Sequence, residues 1–336
     1  MRRRLRILIT GGAGFVGSHL VGACLQNGQE VHAVVRGPSR EDRLRRFGRE
    51  IVLHRFDLRS DQELKRCIRD VAPHVIYHLA ASPRRPEDAQ FTDARRYIGE
   101  DLQILISLLC AAARARVPPV AVIRTGSLAE YGLAPRPYRE DAREEPVTLY
   151  GAGLVAATHL AAALQPRLPF PVATARLALV YGPTQSKDYF LPWLIRRCLA
   201  GEPSTVRRPQ DRRDLIHIDD AVAALMRMGR VLLSGAAVVN IATGLALTMR
   251  ELAEQVVEAT GTDPGLVTYG KGNPLHGAPD LCGSPDRAAQ LLSWRARIPL
   301  PEGISRLVAW HRDTANRSSH MLTDSQVFEN RTLGAA

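Results

Sequence analysis

Lysine is nearly missing from this chain of 336 residues: Lys65, Lys187 and Lys271 are the only three among 45 basic residues. Aromatic residues are also scarce, at 5%, and the arginines are scattered rather than interleaved with them. The net charge of +11 therefore reads as a solvated, arginine-rich surface and excludes a track for stacked nucleic-acid bases. No run of about 18 or more uncharged apolar residues occurs, which argues against a membrane span. The apolar stretch after "MRRRLR" is broken by glycines too early to form a signal-peptide core, so the expected location is cytoplasmic. Cys24, Cys67, Cys110, Cys198 and Cys282 stand far apart without paired metal-ligand spacing. They read as small buried hydrophobes, and no metal site is expected.

What is present is enough apolar residue, 45%, to bury a sizeable core. "LRILIT", a glycine turn, "FVGSHLVGACLQNG" and "EVHAVVR" read as strand, turn, helix and strand. Further strands are expected at "IVLHRFDL", "VIYHLAA", "VAVIRTG" and "VATARLALVYG", with helices over 61–71, 94–116 and 150–165. That alternation predicts an α/β fold, a Rossmann-type doubly wound parallel sheet covered on both faces. The expected boundaries are a dinucleotide-binding domain over 1–182 with returns around 214–242, a smaller C-terminal substrate-binding lobe over 183–313, and a polar tail over 314–336. Shorter helices are expected in the lobe at 190–200, 248–260 and 302–313.

In "TGGAGFVGSHL", Gly11, Gly14 and Gly17 stand between the first strand and the first helix. A turn without Cβ atoms lets backbone approach a pyrophosphate, and the helix N-terminus offers amide donors and a positive dipole. An acid at the end of the second strand would accept from the adenosine ribose; "VVRGPSR" instead offers Arg36 and Arg40 to a 2′-phosphate, which predicts NADP over the alternative NAD. Asp57, after the third strand, is placed to accept from the adenine amino group.

With the glycines spaced 11, 14, 17 and "HLAA" at 78–81, the chain resembles the extended short-chain dehydrogenases/reductases of the nucleotide-sugar epimerase/dehydratase branch. "TGSLAEYG" (125–132), "PYREDAREEPVTLYGAG", "ARLALVYGP" (175–183), "RRDLIHIDDAVAAL" (212–225), "NIATGLALTMRELAEQV" (240–256) and "GSPDRAAQLLSW" (283–294) extend the similarity over about residues 5–313. The resemblance implies that Tyr150 exchanges a proton with the substrate oxygen while Ser127 hydrogen-bonds it. It implies cofactor contacts at Gly11, Gly14, Phe15, Val16, Gly17, Arg36, Asp57, Leu58, Leu79, Ala80, Ala81 and Tyr150. Substrate contacts fall on Ser82, Glu130, Arg213 and Arg287, the two arginines suiting a nucleotide diphosphate through their bidentate forks. The implied partner is a nucleotide-sugar-like small molecule, and family members commonly form homodimers, for which the helices at 102–115 and 151–164 are candidates.

Three departures qualify the resemblance. Leu154 stands where the family has a lysine four places after the tyrosine, and drift away from lysine would have left arginine there. Without that charge the phenol of Tyr150 is expected to stay protonated, which hurts oxidation of an alcohol more than reduction of a ketone. Leu128 and Ala129 replace the Asp-Glu pair of the 4,6-dehydratases, and Glu130 comes one place late on what reads as a strand. Leu179 replaces an asparagine that binds substrate phosphate. The expectation is an NADP-dependent ketoreductase acting on a nucleotide-linked keto sugar. An epimerase, or another isomerase or lyase, with resident NAD(P) is the alternative, and a non-catalytic dinucleotide-binding or regulatory protein is a third reading.

Overall fold

The computed structural model of the protein describes residues 4–37, 41–80, 91–231, 233–271 and 280–315. Apolar runs without polar alternation become strands buried on both faces, as a parallel sheet under two helical layers requires. The chain opens with β1 (Arg6–Thr10), α1 (Phe15–Gln26), β2 (Glu30–Val35), β3 (Ile51–Arg55), α2 (Asp61–Val71) and β4 (Val75–His78). A short α3 (Thr92–Ala94) passes through a π-helical stretch, Arg95–Glu100, into α4 (Asp101–Ala113). β5 (Ala121–Ser127), α5 (Leu149–Leu164), β6 (Val172–Leu177) and β7 (Leu179–Tyr181) follow, then α6 (Phe190–Leu199), β8 (Ser204–Val206), β9 (Arg212–His217) and α7 (Ile218–Met228). The remainder is β10 (Val238–Ile241), β11 (Ala246–Thr248), α8 (Met249–Thr260), β12 (Val267–Tyr269), β13 (Asp280–Leu281), α9 (Asp286–Leu292) and a last helix over 300–315.

Seven of these strands form one parallel sheet in the order β10-β6-β5-β4-β1-β2-β3. The chain moves outward from β1 to β3 and then returns to place β4 on the other side of β1. That reversal makes the carboxyl ends of β1 and β4 the topological switch point, where open α/β sheets bind ligands. Alternate residues feed the two faces. Ile7, Ile9, Ala33, Tyr77 and Ile123 pack with Leu20, Val21 and Cys24 of α1 and with α7. Leu8, Val34, Ile76 and Val122 pack with α2, α4 and α5.

Local sequence explains the helices that cover the sheet. In α2, Leu64, Cys67, Ile68 and Val71 recur at helical spacing and are all buried, while Asp61 and Glu63 complement the dipole of the first turn. The side chain of Ser60 accepts from the Glu63 amide at 3.4 Å, and Ala72 ends the helix in a left-handed conformation. In α5 the buried positions are small, namely Gly151, Gly153, Ala157, Thr158 and Ala161, so the helix lies close against the strands it covers.

The chain divides into two compact units. Among the described residues, the first unit falls within 1–180, 212–246 and 274–297, and the second within 181–211, 247–273 and 298–315. In the second, β8 pairs in parallel with β12, the Thr262 hydroxyl donates to the Cys198 carbonyl at 3.0 Å, and Arg312 donates to the Thr260 carbonyl at 3.0 Å. Several expectations need correction. The single run "VATARLALVYG" is two strands, β6 and β7, with Ala178 between them in neither. Residues 280–297, assigned to the lobe by sequence, lie in the first unit. Cys110 is exposed, whereas Cys24, Cys67 and Cys198 are buried.

The later segments of the first unit are fastened by Asp214 on β9, which is 1% exposed. Its Oδ1 accepts from the Thr243 amide at 3.0 Å and the Thr243 hydroxyl at 2.6 Å; its Oδ2 accepts from the amides of Gly244 at 3.0 Å and Gly283 at 3.4 Å. Asp214→Ala strands these donors inside the protein. It is expected to lower the unfolding free energy by at least ~2 kcal/mol, read from urea denaturation.

Candidate active site

At Gly11 and Gly17 the turn after β1 is built so tightly that only glycine fits. Gly11 has φ +72°, and a Cβ there would lie 2.7 Å from the Leu79 carbonyl carbon at the end of β4. A Cβ on Gly17 would lie 2.2 Å from the Gly11 oxygen. Gly14 is the N-cap of α1, and its amide donates to the Gly11 carbonyl at 2.9 Å. Phe15 and Val16 begin the helix and are half-buried against the core. The result is a helix N-terminus facing the switch point over a backbone stripped of side chains, the arrangement that a dinucleotide pyrophosphate fits. Arg36 is exposed at the end of β2. Its charge acts on Asp57 after β3, whose carboxyl is held below its ordinary range first by the hydrogen bond from Arg59. Leu58 and Leu79 pack on the edges of the two cores. Arg40, Ala81 and Ser82 lie outside the described residues.

Tyr150 stands in the first turn of α5, which Thr148 caps by accepting from the Gly151 amide at 3.0 Å. It lines a cavity at the carboxyl ends of β4 and β5 together with His78, Ala80, Tyr97, Asp101, Arg124 and Leu154. The Tyr97 ring meets that of Tyr150 edge-on at 6.0 Å. Ser127 ends β5 and is not among the lining residues of this cavity, but the chain brings the two candidates close. Gly151, next to Tyr150, approaches the Ala129 carbonyl so nearly that a Cβ would lie 2.5 Å from it.

Ser127 is the N-cap of a 3-10 turn, Leu128–Glu130, rather than a residue in a continuing strand. Its Oγ accepts from the Ala129 amide at 3.1 Å, which leaves the hydroxyl proton to be donated to a substrate oxygen. Glu130, expected from the resemblance to touch substrate, does not reach solvent. It is fully buried, and Oε1 accepts from the Ser127 amide at 3.0 Å. Its Oε2 accepts from Arg176 Nε at 2.8 Å and from the Thr158 hydroxyl at 2.7 Å. The turn folds the side chain back under Ser127, so Glu130 is spent on the serine amide, Arg176 and Thr158 rather than turned toward a ligand.

Arg176 on β6 is likewise fully buried, donates from Nη2 to Glu144 at 2.5 Å, and lies 4.4 Å over the Tyr131 ring. Burial works against its charge, yet Glu130, Tyr131 and Glu144 raise its pKa overall. On β5, Arg124 donates from Nη1 to the hydroxyls of Thr158 at 2.8 Å and Thr174 at 3.1 Å. Sequence reading passed over Arg124 and Arg176. The only signal was an arginine in the middle of each of two otherwise apolar strands, where an unpaired charge is too costly to be incidental.

Arg213 and Arg287, the arginines expected at a diphosphate, each make a backbone contact. Arg213 on β9 donates to the Arg212 carbonyl at 2.8 Å. Arg287 on α9 donates to the Val238 carbonyl at 3.3 Å and lines a different cavity with Glu140 and Gln290, without Arg213, Tyr150 or Ser127 among its walls.

The sequence pattern of the NAD dependent epimerase/dehydratase family matches residues 7–242. The chain belongs to that family. It is 29% identical over 330 residues to a dTDP-glucose 4,6-dehydratase of Streptomyces niveus, covering 92% of this chain and 93% of that one. It is 27% identical over 329 residues to a UDP-glucose 4-epimerase of Mycolicibacterium smegmatis, covering 92% and 99%. Among solved structures it resembles MoeE5 in complex with UDP-glucuronic acid and NAD, with 31% identity, a TM-score of 0.79, and coverage of 92% and 99%. The protein is therefore an enzyme of the sugar-nucleotide epimerase/dehydratase type. Among the described residues no helix is long and apolar enough to cross a membrane, and no cluster of metal-ligating side chains occurs.

Two predictions follow from the buried charges. Glu130→Gln leaves Arg176 under-compensated and is expected to cost about 3 kcal/mol or more in chemical denaturation. His78, with Nδ1 2.7 Å from Thr10 Oγ1, titrates at about 4 instead of the ordinary 6.5, because of burial first and the Arg124 charge second. Between pH 6.5 and 4 the unfolded chain binds a proton that the folded one refuses, so stability falls as pH drops through that window. The loss attributable to His78 is expected to reach about 3 kcal/mol, measured as the pH dependence of unfolding in the native chain against His78→Asn.

Proposed function

We propose that the protein binds a nicotinamide dinucleotide on the turn after β1 and acts on a nucleotide-linked sugar by removing and returning hydride at one ring carbon. Such a dinucleotide, when bound, supplies the hydride acceptor and donor. Tyr150 takes the proton from the oxygen on that carbon and gives it back, and the Ser127 hydroxyl steadies the same oxygen. The observation that carries this reading is the position of Tyr150, in a cavity at the carboxyl ends of β4 and β5, beside the strand whose glycine turn opens the switch point. Gly11, Gly14 and Gly17 hold the pyrophosphate, and Phe15, Val16, Leu58, Leu79 and Ala80 shape the pocket around the nucleoside. Arg213 and Arg287 remain the candidates for guanidinium contacts with the substrate diphosphate.

Leu128 and Ala129 provide no acid or base to eliminate water, which argues against dehydration and in favour of epimerisation. Similarity to proteins that bind UDP-glucuronic acid or UDP-glucose with NAD supports a UDP-sugar as the first substrate to try. The second reading, an NADP-dependent ketoreductase of a nucleotide-linked keto sugar, rests on Arg36, exposed at the end of β2 where an acid would select NAD.

Incubation with UDP-glucose or UDP-glucuronic acid is expected to yield the epimer with no net change in the nicotinamide absorbance, and Tyr150→Phe should slow this by about 10²–10⁴-fold. Stoichiometric consumption of NADPH by a keto sugar, without epimerisation, would select the second reading.

A further inference from the structure

Arg124 occupies the middle of β5 in the sequence "AVIRTGS" and is 2% exposed. Burying a guanidinium is costly, and in this place hydrocarbon would pack at least as well. Its hydrogen bonds go to two neutral hydroxyls, on Thr158 of α5 and Thr174 of β6, so neither bond cancels its charge. Burial lowers its pKa while Glu130 works in the opposite direction, and a guanidinium stays cationic throughout the range in which enzymes operate. The same side chain lines the cavity of Tyr150 and Leu154.

The groups that face Tyr150 there are His78 from β4, Arg124 from β5, Tyr97 from the π-helical stretch and Asp101 from the start of α4. His78 is neutral near pH 7, since burial and Arg124 push it down to about 4. Asp101 opposes ionisation of a phenol, and Tyr97 adds a second phenol. Arg124 is thus the one cation among the described lining residues, and its field and that of Tyr150 act on one another.

We propose that Arg124 is a positioning residue whose fixed charge, delivered from the sheet rather than from α5, makes the Tyr150 phenolate accessible. The pocket is then able to accept a proton from a sugar hydroxyl as well as to donate one to a ketone. A bound dinucleotide would take up and give back the hydride; Tyr150 takes the proton from the oxygen on the same carbon onto its phenolate oxygen and returns it, so that both transfers balance. Leu154 therefore does not leave the phenol in uncharged surroundings, and the one-directional pocket expected from sequence is replaced by one that serves oxidation too. Thr158 holds the guanidinium in register with the helix that carries Tyr150, because it lies two turns further along α5 and accepts from Arg124. The inference rests on the reading of Tyr150 as the proton-exchanging group.

The test is the titration of Tyr150, isolated as the difference in tyrosinate absorbance between the native chain and Tyr150→Phe. The native phenol is expected to titrate below the ordinary value of about 10. Arg124→Gln should move it up by about one pH unit or more, so that phenolate at a given pH falls about tenfold. Arg124→Lys should restore it, as should Leu154→Lys placed in the Arg124→Gln chain. A native titration at or above about 10, or a folded Arg124→Gln chain with an unmoved titration, overturns the proposal. If Arg124→Gln does not fold, the native value decides. Should the titration follow residue 124 while Tyr150→Phe retains full turnover, the functional reading fails and the charge assignment stands.

Discussion

Two arginines and two glutamates, joined through buried side chains between β5, β6 and α5, hold this site in its shape. Arg176 pairs with Glu130 and Glu144, Glu130 takes the Thr158 hydroxyl, and Thr158 in turn accepts from Arg124. The formal charges sum to zero, which is the condition under which such a cluster is tolerated inside a low-dielectric sheet. Each member also has hydrogen bonds that fix its direction, so the cluster specifies geometry more than it adds stability. Removing Glu130 leaves Arg176 under-compensated inside the protein.

That cluster reaches both candidate catalytic groups. Glu130 accepts from the Ser127 amide and so determines how β5 turns out of the sheet, and where the serine hydroxyl points. Arg124 reaches the cavity of Tyr150 from below, through the strand rather than along the helix. The proposed proton exchange at the phenol and hydrogen bonding at the serine are thereby tied to one buried cluster, as preorganised electrostatics demands.

The glycine turn answers a different constraint. At Gly11 its backbone packs against the end of β4 with no room for a Cβ, so the proposed dinucleotide platform is defined by what is left out. The two halves of the site therefore have opposite designs: absence of side chains at the switch point, and dense pairing of charged side chains one strand over. The proposed chemistry needs both, because hydride and proton would leave and return along fixed paths while the oxygen between them stays held.

Periodicity and turn chemistry alone made the parallel α/β sheet legible: α2 was readable as residues 61–71, and the glycine turn by its place between a strand and a helix. These are local signals, carried by neighbours in sequence, and the family resemblance added Tyr150 and Ser127. What sequence could not decide was which charges meet. Glu130 read as a ligand contact because nothing local shows that a 3-10 turn folds it beneath Ser127, toward an arginine 46 residues later. Leu154 read as a missing charge because spacing along one helix reveals nothing about the strand behind it. Pairing between groups so far apart in the chain exists only once the sheet has brought the strands together, and so the electrostatics of the pocket belonged to the tertiary structure.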